Sequence, residues 1–139
     1  RKVRPDVVFG ADFITGFPTE TEQMFENTAA LVKQANITHL HVFPYSERPG
    51  TPAAKMPQVP VPIRKERAKI LRETGEKLLD GYMRGRLGQT ANVLYEADGK
   101  GLCEHYLPVH IGVGFEAGQI VPVRLTGIKQ TGIFEGSVL

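Results

Sequence analysis

The sequence predicts an α/β segment followed by a small all-β barrel. Three patterns carry that expectation. Two short apolar runs flank one amphipathic helical stretch, the usual layout of a β-α-β unit. A proline-rich loop then leads into a long, charged helix. From Gly88 onward the pattern changes to short β runs divided by glycines.

The first run, VVFGADFI (residues 7–14), is nearly all apolar, which suits a strand buried on both faces of a parallel sheet. Gly16 and Pro18 end it. Thr19 and Glu22 have the spacing of a capping box, predicting a helix from about Glu20 to Ala35. Met24, Phe25, Thr28, Leu31, Val32 and Ala35 would form its buried face, and Asn36 its stop. THLHVF (residues 38–43) reads as a second strand, parallel to the first. Two strands and one helix cannot cover both faces of a sheet. Either the long helix folds back over them, or the missing sheet belongs to a preceding segment.

Six prolines between positions 44 and 62 rule out regular helix or central strand there. Pro62 suits the first turn of a helix covering about Ile63 to Leu87. Ile63, Ile70, Leu71, Leu78, Leu79, Tyr82 and Met83 give it an apolar stripe, while Gly75 and Gly81 predict a bend or break. TANVLYE, HYLPVHIGV, QIVPVRLTGI and GIFEGSVL then supply four or five strands, with turns at Asp98-Gly99 and Ala117-Gly118. Short strands so closely spaced predict a barrel. The implied domains are 1–61, the connecting helix 62–87, and 88–139.

At 139 residues the chain fits one ordinary domain or two small ones, and 41% hydrophobic content with 23% charge is globular. No apolar stretch approaches the roughly 20 residues that span a bilayer. The opening RKVRPD has no apolar core of a signal peptide, and the first residue is not Met, so a piece of a longer chain is expected. Cys103 is the only cysteine. It excludes an internal disulfide, fits a reducing cytoplasm, and cannot by itself ligate a cluster or a structural zinc.

Net charge is only +2, but it is unevenly spread. Residues 1–61 hold six basic and six acidic side chains, residues 62–87 eight and four, and residues 88–139 three and five. The basic excess lies in the helix. It can track phosphates, or be the solvated face of an ordinary helix.

The loop Gly16-Phe17-Pro18-Thr19-Glu20-Thr21 lies where α/β proteins bind ligands, between a strand's C-terminal end and a helix N-terminus. It is equally readable as an ordinary strand-to-helix turn. Asp12, on the strand face shared with Gly10 and Ile14, is either a site carboxylate or half of a structural ion pair. The second strand runs into FPYSERPGTPAA, whose Tyr45, Ser46 and Arg48 offer a phenol, a hydroxyl and a planar donor fork. Two polar loops at the same end of adjacent parallel strands argue for a site better than either alone. His39 and His41 share a face but lack a third metal ligand, so packing or hydrogen bonding is expected of them. His105 and His110 read as surface residues and Cys103 as inert. In the barrel, Lys100, Arg124 and Lys129 are the cations available to phosphate. Tyr95, Tyr106, Phe115 and Phe134 are stacking candidates, although an aromatic core with scattered charge fits the acidic segment better.

DFITGFPTET, a helix, HVFPYSERPGTPA, a long charged helix and a short β segment resemble, in that order, the C-terminal part of the radical-SAM tRNA methylthiotransferases. The threonylcarbamoyladenosine branch is the most similar. The resemblance implies the last β-α-β part of a radical-SAM partial barrel plus a long helix, then a TRAM-type barrel. It implies a parent enzyme that methylthiolates carbon 2 of modified adenosine 37 with S-adenosylmethionine and two [4Fe–4S] clusters. The family's cluster-binding cysteines are not in this sequence, so no turnover and no bound cofactor are expected of this chain alone. Asp12, Gly16, Phe17, Pro18, Pro44, Tyr45, Ser46 and Arg48 would line the pocket for S-adenosylmethionine or substrate. Arg64, Lys65, Arg84, Arg86, Arg124 and Lys129 would contact RNA. Expected partners are a tRNA anticodon stem-loop and the N-terminal part of the same enzyme, in the cytoplasm and away from membranes. Exposed sheet edges would allow self-association. The alternative is a stand-alone RNA-binding module without catalysis.

Overall fold

A computed structural model describes residues 2–139; Arg1, which opens the first expected domain, lies outside them. The described residues form two compact units: Val8–Leu78, and Leu79–Leu139 together with residues 2–7.

In the first unit, strands β1 (Gly10–Thr15) and β2 (His39–Pro44) pair in parallel, Gly10 opposite His39 and Thr15 opposite Pro44. Helix α1 (Glu22–Ala35) joins them. Its cap is Thr21, whose hydroxyl accepts from the Met24 N–H at 3.2 Å, not the expected Thr19. Thr19 instead sits in the left-handed region at φ 71°, its N–H donates to the Pro57 carbonyl, and the Glu22 carboxylate of the expected box accepts from Arg67, so the helix starts two residues late. Asn36, at φ 49°, closes it as expected.

Both α1 and the first part of helix α2 (Val61–Arg86) pack on one face of this sheet. Phe25, Val32, Val42, Ala68 and Leu71 form the core, with Ala11, Phe13 and Leu40 against it. Each fully buried large side chain contributes about 1.5–3 kcal/mol. The opposite face, carrying Gly10, Asp12 and Ile14 beside His41 and Phe43, is open. Burial on both faces is therefore not what the strands have: Ile14 and Phe43 are 57% and 55% exposed. Met24 and Leu31 of α1 are also exposed, leaving a narrower buried stripe than the periodicity implied.

Helix α2 runs without a break through Gly75 and Gly81. At Gly75 the helix abuts the sheet so closely that a Cβ would lie 3.0 Å from Leu40. The buried face in this unit follows Arg64, Arg67, Ala68, Leu71 and Gly75, whereas Ile63 and Ile70, expected in the stripe, are exposed.

The second unit is a closed five-stranded barrel in the order β3-β4-β5-β7-β6. Its strands are β3 (Thr90–Ala97), β4 (Lys100–Cys103), β5 (Pro108–His110), β6 (Ile120–Gln130) and β7 (Ile133–Val138). Strict alternation turns Ala91, Val93, Tyr95, Val109, Val121, Val123, Leu125 and Phe134 inward, and Met83 of α2 completes the core. Asp98 and Gly99, both at positive φ, make the expected tight turn between β3 and β4. HYLPVHIGV yields only the three residues of β5, while KGLC forms a strand outside the four expected runs. Among the described residues no helix is long and apolar enough to cross a membrane.

His105 is not the surface residue expected. It is 2% exposed, and the Arg86 guanidinium lies 2.8 Å from its Nε2, within hydrogen-bond reach. Burial, then the Arg86 charge, lower its pKa against the opposing pull of Glu104 and Asp6. Cys103 is buried in the barrel core, and burial pushes its thiol pKa up.

Candidate functional site

The candidate site is the mouth formed where β1 and β2 end together. The Tyr45 N–H donates to the Thr15 carbonyl at 2.8 Å, extending the parallel ladder one step beyond the strands. This step draws the two loops side by side. The Phe17 and Tyr45 rings meet edge to face with centroids 5.3 Å apart.

Arg64, from the first turns of α2, fastens the loops from below. Its guanidinium donates to the carbonyls of Val59 and Tyr45 and to the side chains of Glu47 and Gln58. It also lies over the Tyr45 ring at 5.3 Å, and its own carbonyl accepts from the buried Thr15 hydroxyl. Gly16 makes this approach sterically feasible. It sits at φ +68°, and a Cβ there would lie 2.5 Å from the Arg64 Cγ.

Arg67, one turn on, holds the loop before α1. It donates to the Glu20 carboxylate at 2.6 Å, to the Glu20 carbonyl at 3.0 Å and to Glu22 at 2.8 Å. Burial opposes its charge, but the bonds to Glu22 and Glu20 outweigh that and raise its pKa. Glu20 in turn accepts from the Gly16 N–H at 3.0 Å. The Gly16 N–H is thus satisfied within the loop itself.

The expected pocket residues divide into anchors and exposed groups. Gly16 and Pro18 are buried and fix the first loop. Pro44 ends β2 opposite Thr15. Asp12, Phe17, Ser46 and Arg48 are exposed. No hydrogen bond or ion pair to the Arg48 guanidinium exists among the described residues, so its planar fork is available. The Tyr45 hydroxyl and His39 Nε2 are buried without a partner. Such atoms call for a ligand, a water or another protein segment.

Of the expected RNA contacts, Arg64 is 4% exposed and spends its donors inside the protein. Arg84 pairs with Asp80 at 2.7 Å, Arg86 is bound to His105, and Arg124 donates to the Gly88 carbonyl. Lys65 and Lys129 are exposed, and neither is in an ion pair among the described residues. Of the stacking candidates, Tyr95 and Phe134 are core, Phe115 packs on Tyr95, and Tyr106 is 72% exposed.

Arg67, Glu47 and Gln58 were not among the expected site residues, and Glu20 was expected only as part of the first loop. For Arg67 the spacing is the one trace in the sequence, legible only once Arg64 is known to be buried. Arg64, Arg67, Ala68 and Leu71 repeat at helical spacing, so an arginine pair opens the buried face.

No family model matches the sequence. Among curated proteins, the chain is 51% identical over 130 residues to the threonylcarbamoyladenosine tRNA methylthiotransferase MtaB of Rickettsia prowazekii (strain Madrid E). That match covers 94% of this chain and 31% of the relative. MtaB of Aquifex aeolicus (strain VF5) is 36% identical, over 88% of the chain and 30% of its own length. The tRNA-2-methylthio-N(6)-dimethylallyladenosine synthase of Ehrlichia chaffeensis (strain ATCC CRL-10679 / Arkansas) is 45% identical, over 68% of the chain and 22% of its length.

The sequence that folds into the α/β unit and the barrel is thus similar to that of enzymes named for tRNA modification. The chain belongs with the tRNA methylthiotransferases, as its loop motifs implied, and spans about three-tenths of the length of its MtaB relatives.

An iron–sulfur cluster of the kind the resemblance implies needs several thiolates. The lone, buried Cys103 does not fit one, and among the described residues no group of three or more His, Cys, Asp or Glu is placed to hold a metal ion. The donor types are of the kind S-adenosylmethionine would need: Asp12 would offer a carboxylate to its cationic part, Arg48 a donor fork to its carboxylate, and the unpartnered Tyr45 hydroxyl a bond to a polar group.

Proposed function

We propose that this chain is the part of a threonylcarbamoyladenosine tRNA methylthiotransferase that supplies one wall of the catalytic pocket and part of the RNA contact. The mouth geometry supports this most strongly. Two loops at the C-terminal ends of parallel strands are locked together by Arg64, beside a sheet face that nothing in its own unit covers. Asp12 on that face, with Phe17, Tyr45, Ser46 and Arg48 at its rim, would bind and orient S-adenosylmethionine or the adenosine to be modified. Bound S-adenosylmethionine and the clusters would supply the radical and sulfur chemistry, the clusters being held by cysteines outside this sequence. The 51% identity to a protein named for threonylcarbamoyladenosine supports this choice of branch.

In this reading Lys65 and the outward cations of the barrel contact the phosphates of an anticodon stem-loop. The test is tRNA affinity of the chain over a salt series, with S-adenosylmethionine cleavage measured in parallel. The expected result is binding whose logarithm falls linearly with the logarithm of salt, with no 5′-deoxyadenosine formed. Absent or salt-insensitive binding overturns the RNA contact, and 5′-deoxyadenosine from this chain alone overturns the division of labour.

A further inference from the structure

A row of charged side chains lies on the outside of the barrel. Gly101, Val109 and Phe134 are buried, so their strand neighbours Lys100, His110 and Glu135 project outward from β4, β5 and β7. Lys100 is paired in register with His110, and His110 with Glu135, so the three lie side by side across adjacent strands. The β6–β7 ladder slips between Ile128 and Gln130, which places Lys129 in the irregularity. Such a slip re-aims a side chain. Lys129 and Lys100 both act on the His110 imidazole, with Glu135 opposing them. Neither lysine is in an ion pair among the described residues.

Desolvation, then Lys129 and Lys100, hold the His110 pKa below its ordinary value of 6.5, so the imidazole is mostly neutral at neutral pH. A phosphate reaching this row meets two unneutralised ammonium groups. It also brings negative charge beside His110, offsets the repulsion from the lysines, and favours the imidazolium. The row lies on the outer surface of the barrel rather than in an enclosed cavity. That suits a polyanion held at several phosphates better than one free phosphate.

We propose that Lys100, His110 and Lys129 form a proton-coupled contact for an RNA phosphate, with His110 taking up a proton as the RNA docks. This rests on the reading of the chain as an RNA-contacting part of a tRNA-modifying enzyme, and names the surface and its regulation. Glu135 limits the effect, since its carboxylate already favours the imidazolium in the free protein.

The experiment uses the full chain and an unmodified tRNA as probe. Fluorescence anisotropy gives the affinity at constant ionic strength between about pH 6 and about pH 8, and NMR follows the His110 imidazole with and without tRNA. The expected result is several-fold tighter binding at the acidic end and a rise in the His110 pKa when tRNA is added. His110→Ala should match the native chain near pH 8 and lose the pH gradient. Lys100→Ala and Lys129→Ala should each weaken binding across the range and lower the salt slope by roughly one. If tRNA binds but the His110 titration does not move, or His110→Ala keeps the gradient, this contact is overturned while RNA binding stands. If tRNA does not bind at any pH, both fall.

Discussion

Replacing Arg64 with alanine strips the mouth of its fastening. The guanidinium leaves behind two carbonyl acceptors, those of Val59 and Tyr45, each costing about 1–3 kcal/mol when buried and unpaired. Glu47 is half exposed, so losing that ion pair adds only about 0–1 kcal/mol. The net expectation is about 3–5 kcal/mol, in the range for removing one partner of a buried charged network. A unit the size of Val8–Leu78 has few kcal/mol to spare. Arg64→Lys keeps the charge but not the planar fork, and should lose roughly half as much. Urea unfolding followed by hydrogen exchange reads the effect locally. Amides of residues 10–18 and 39–52 should lose protection in Arg64→Ala while those of the barrel strands keep theirs. An Arg64→Ala chain whose first unit unfolds within about 0.5 kcal/mol of the native value would refute the reasoning, since that is the scatter of ordinary surface substitutions.

Other outcomes follow from single residues. Gly81 has open space where a Cβ would go, so Gly81→Ala should stabilise α2 by up to about 1 kcal/mol, whereas Gly75→Ala drives a Cβ against Leu40 and should destabilise; paired thermal melts check both signs. The His105 pKa is lowered in the folded barrel, so the unfolded chain binds the proton more readily. Barrel stability should therefore fall as pH drops through the unfolded value near 6.5, and a His105→Asn chain should show a flatter pH profile in chemical unfolding. Thr21→Ala should cost about 1 kcal/mol by removing the α1 cap, while Thr19→Ala leaves that cap intact; helix-resolved hydrogen exchange separates them.

How much of this was legible depended on what carried the signal. The β-α-β order, the parallel pairing and the barrel came from hydrophobic period and glycine turns, which are local. The position of the paired loops came from chain order and was equally readable. The phase of α2 was not, because its buried face begins with two arginines. Counting only apolar residues put Ile63 and Ile70 inside, where Arg64 and Arg67 belong. A buried arginine announces itself only through its acceptors, and those of Arg64 lie on the loop after β2 and the segment before α2. Thr19 and Glu22 made a plausible capping box, but the demand of Arg67 on Glu20 and Glu22 moved the helix start. His105 read as surface because its burial depends on closure of the barrel around it.

Methylthiolation by a hybrid enzyme tests the central claim most directly. This chain replaces the matching segment of the Rickettsia prowazekii relative, and mass spectrometry quantifies 2-methylthio nucleoside in tRNA. The expected result is that the hybrid modifies tRNA and that Asp12→Asn and Arg48→Ala reduce the yield by more than they reduce tRNA affinity. A hybrid that folds and binds tRNA yet forms no product, or one indifferent to both substitutions, would contradict the assignment of the mouth to the catalytic pocket.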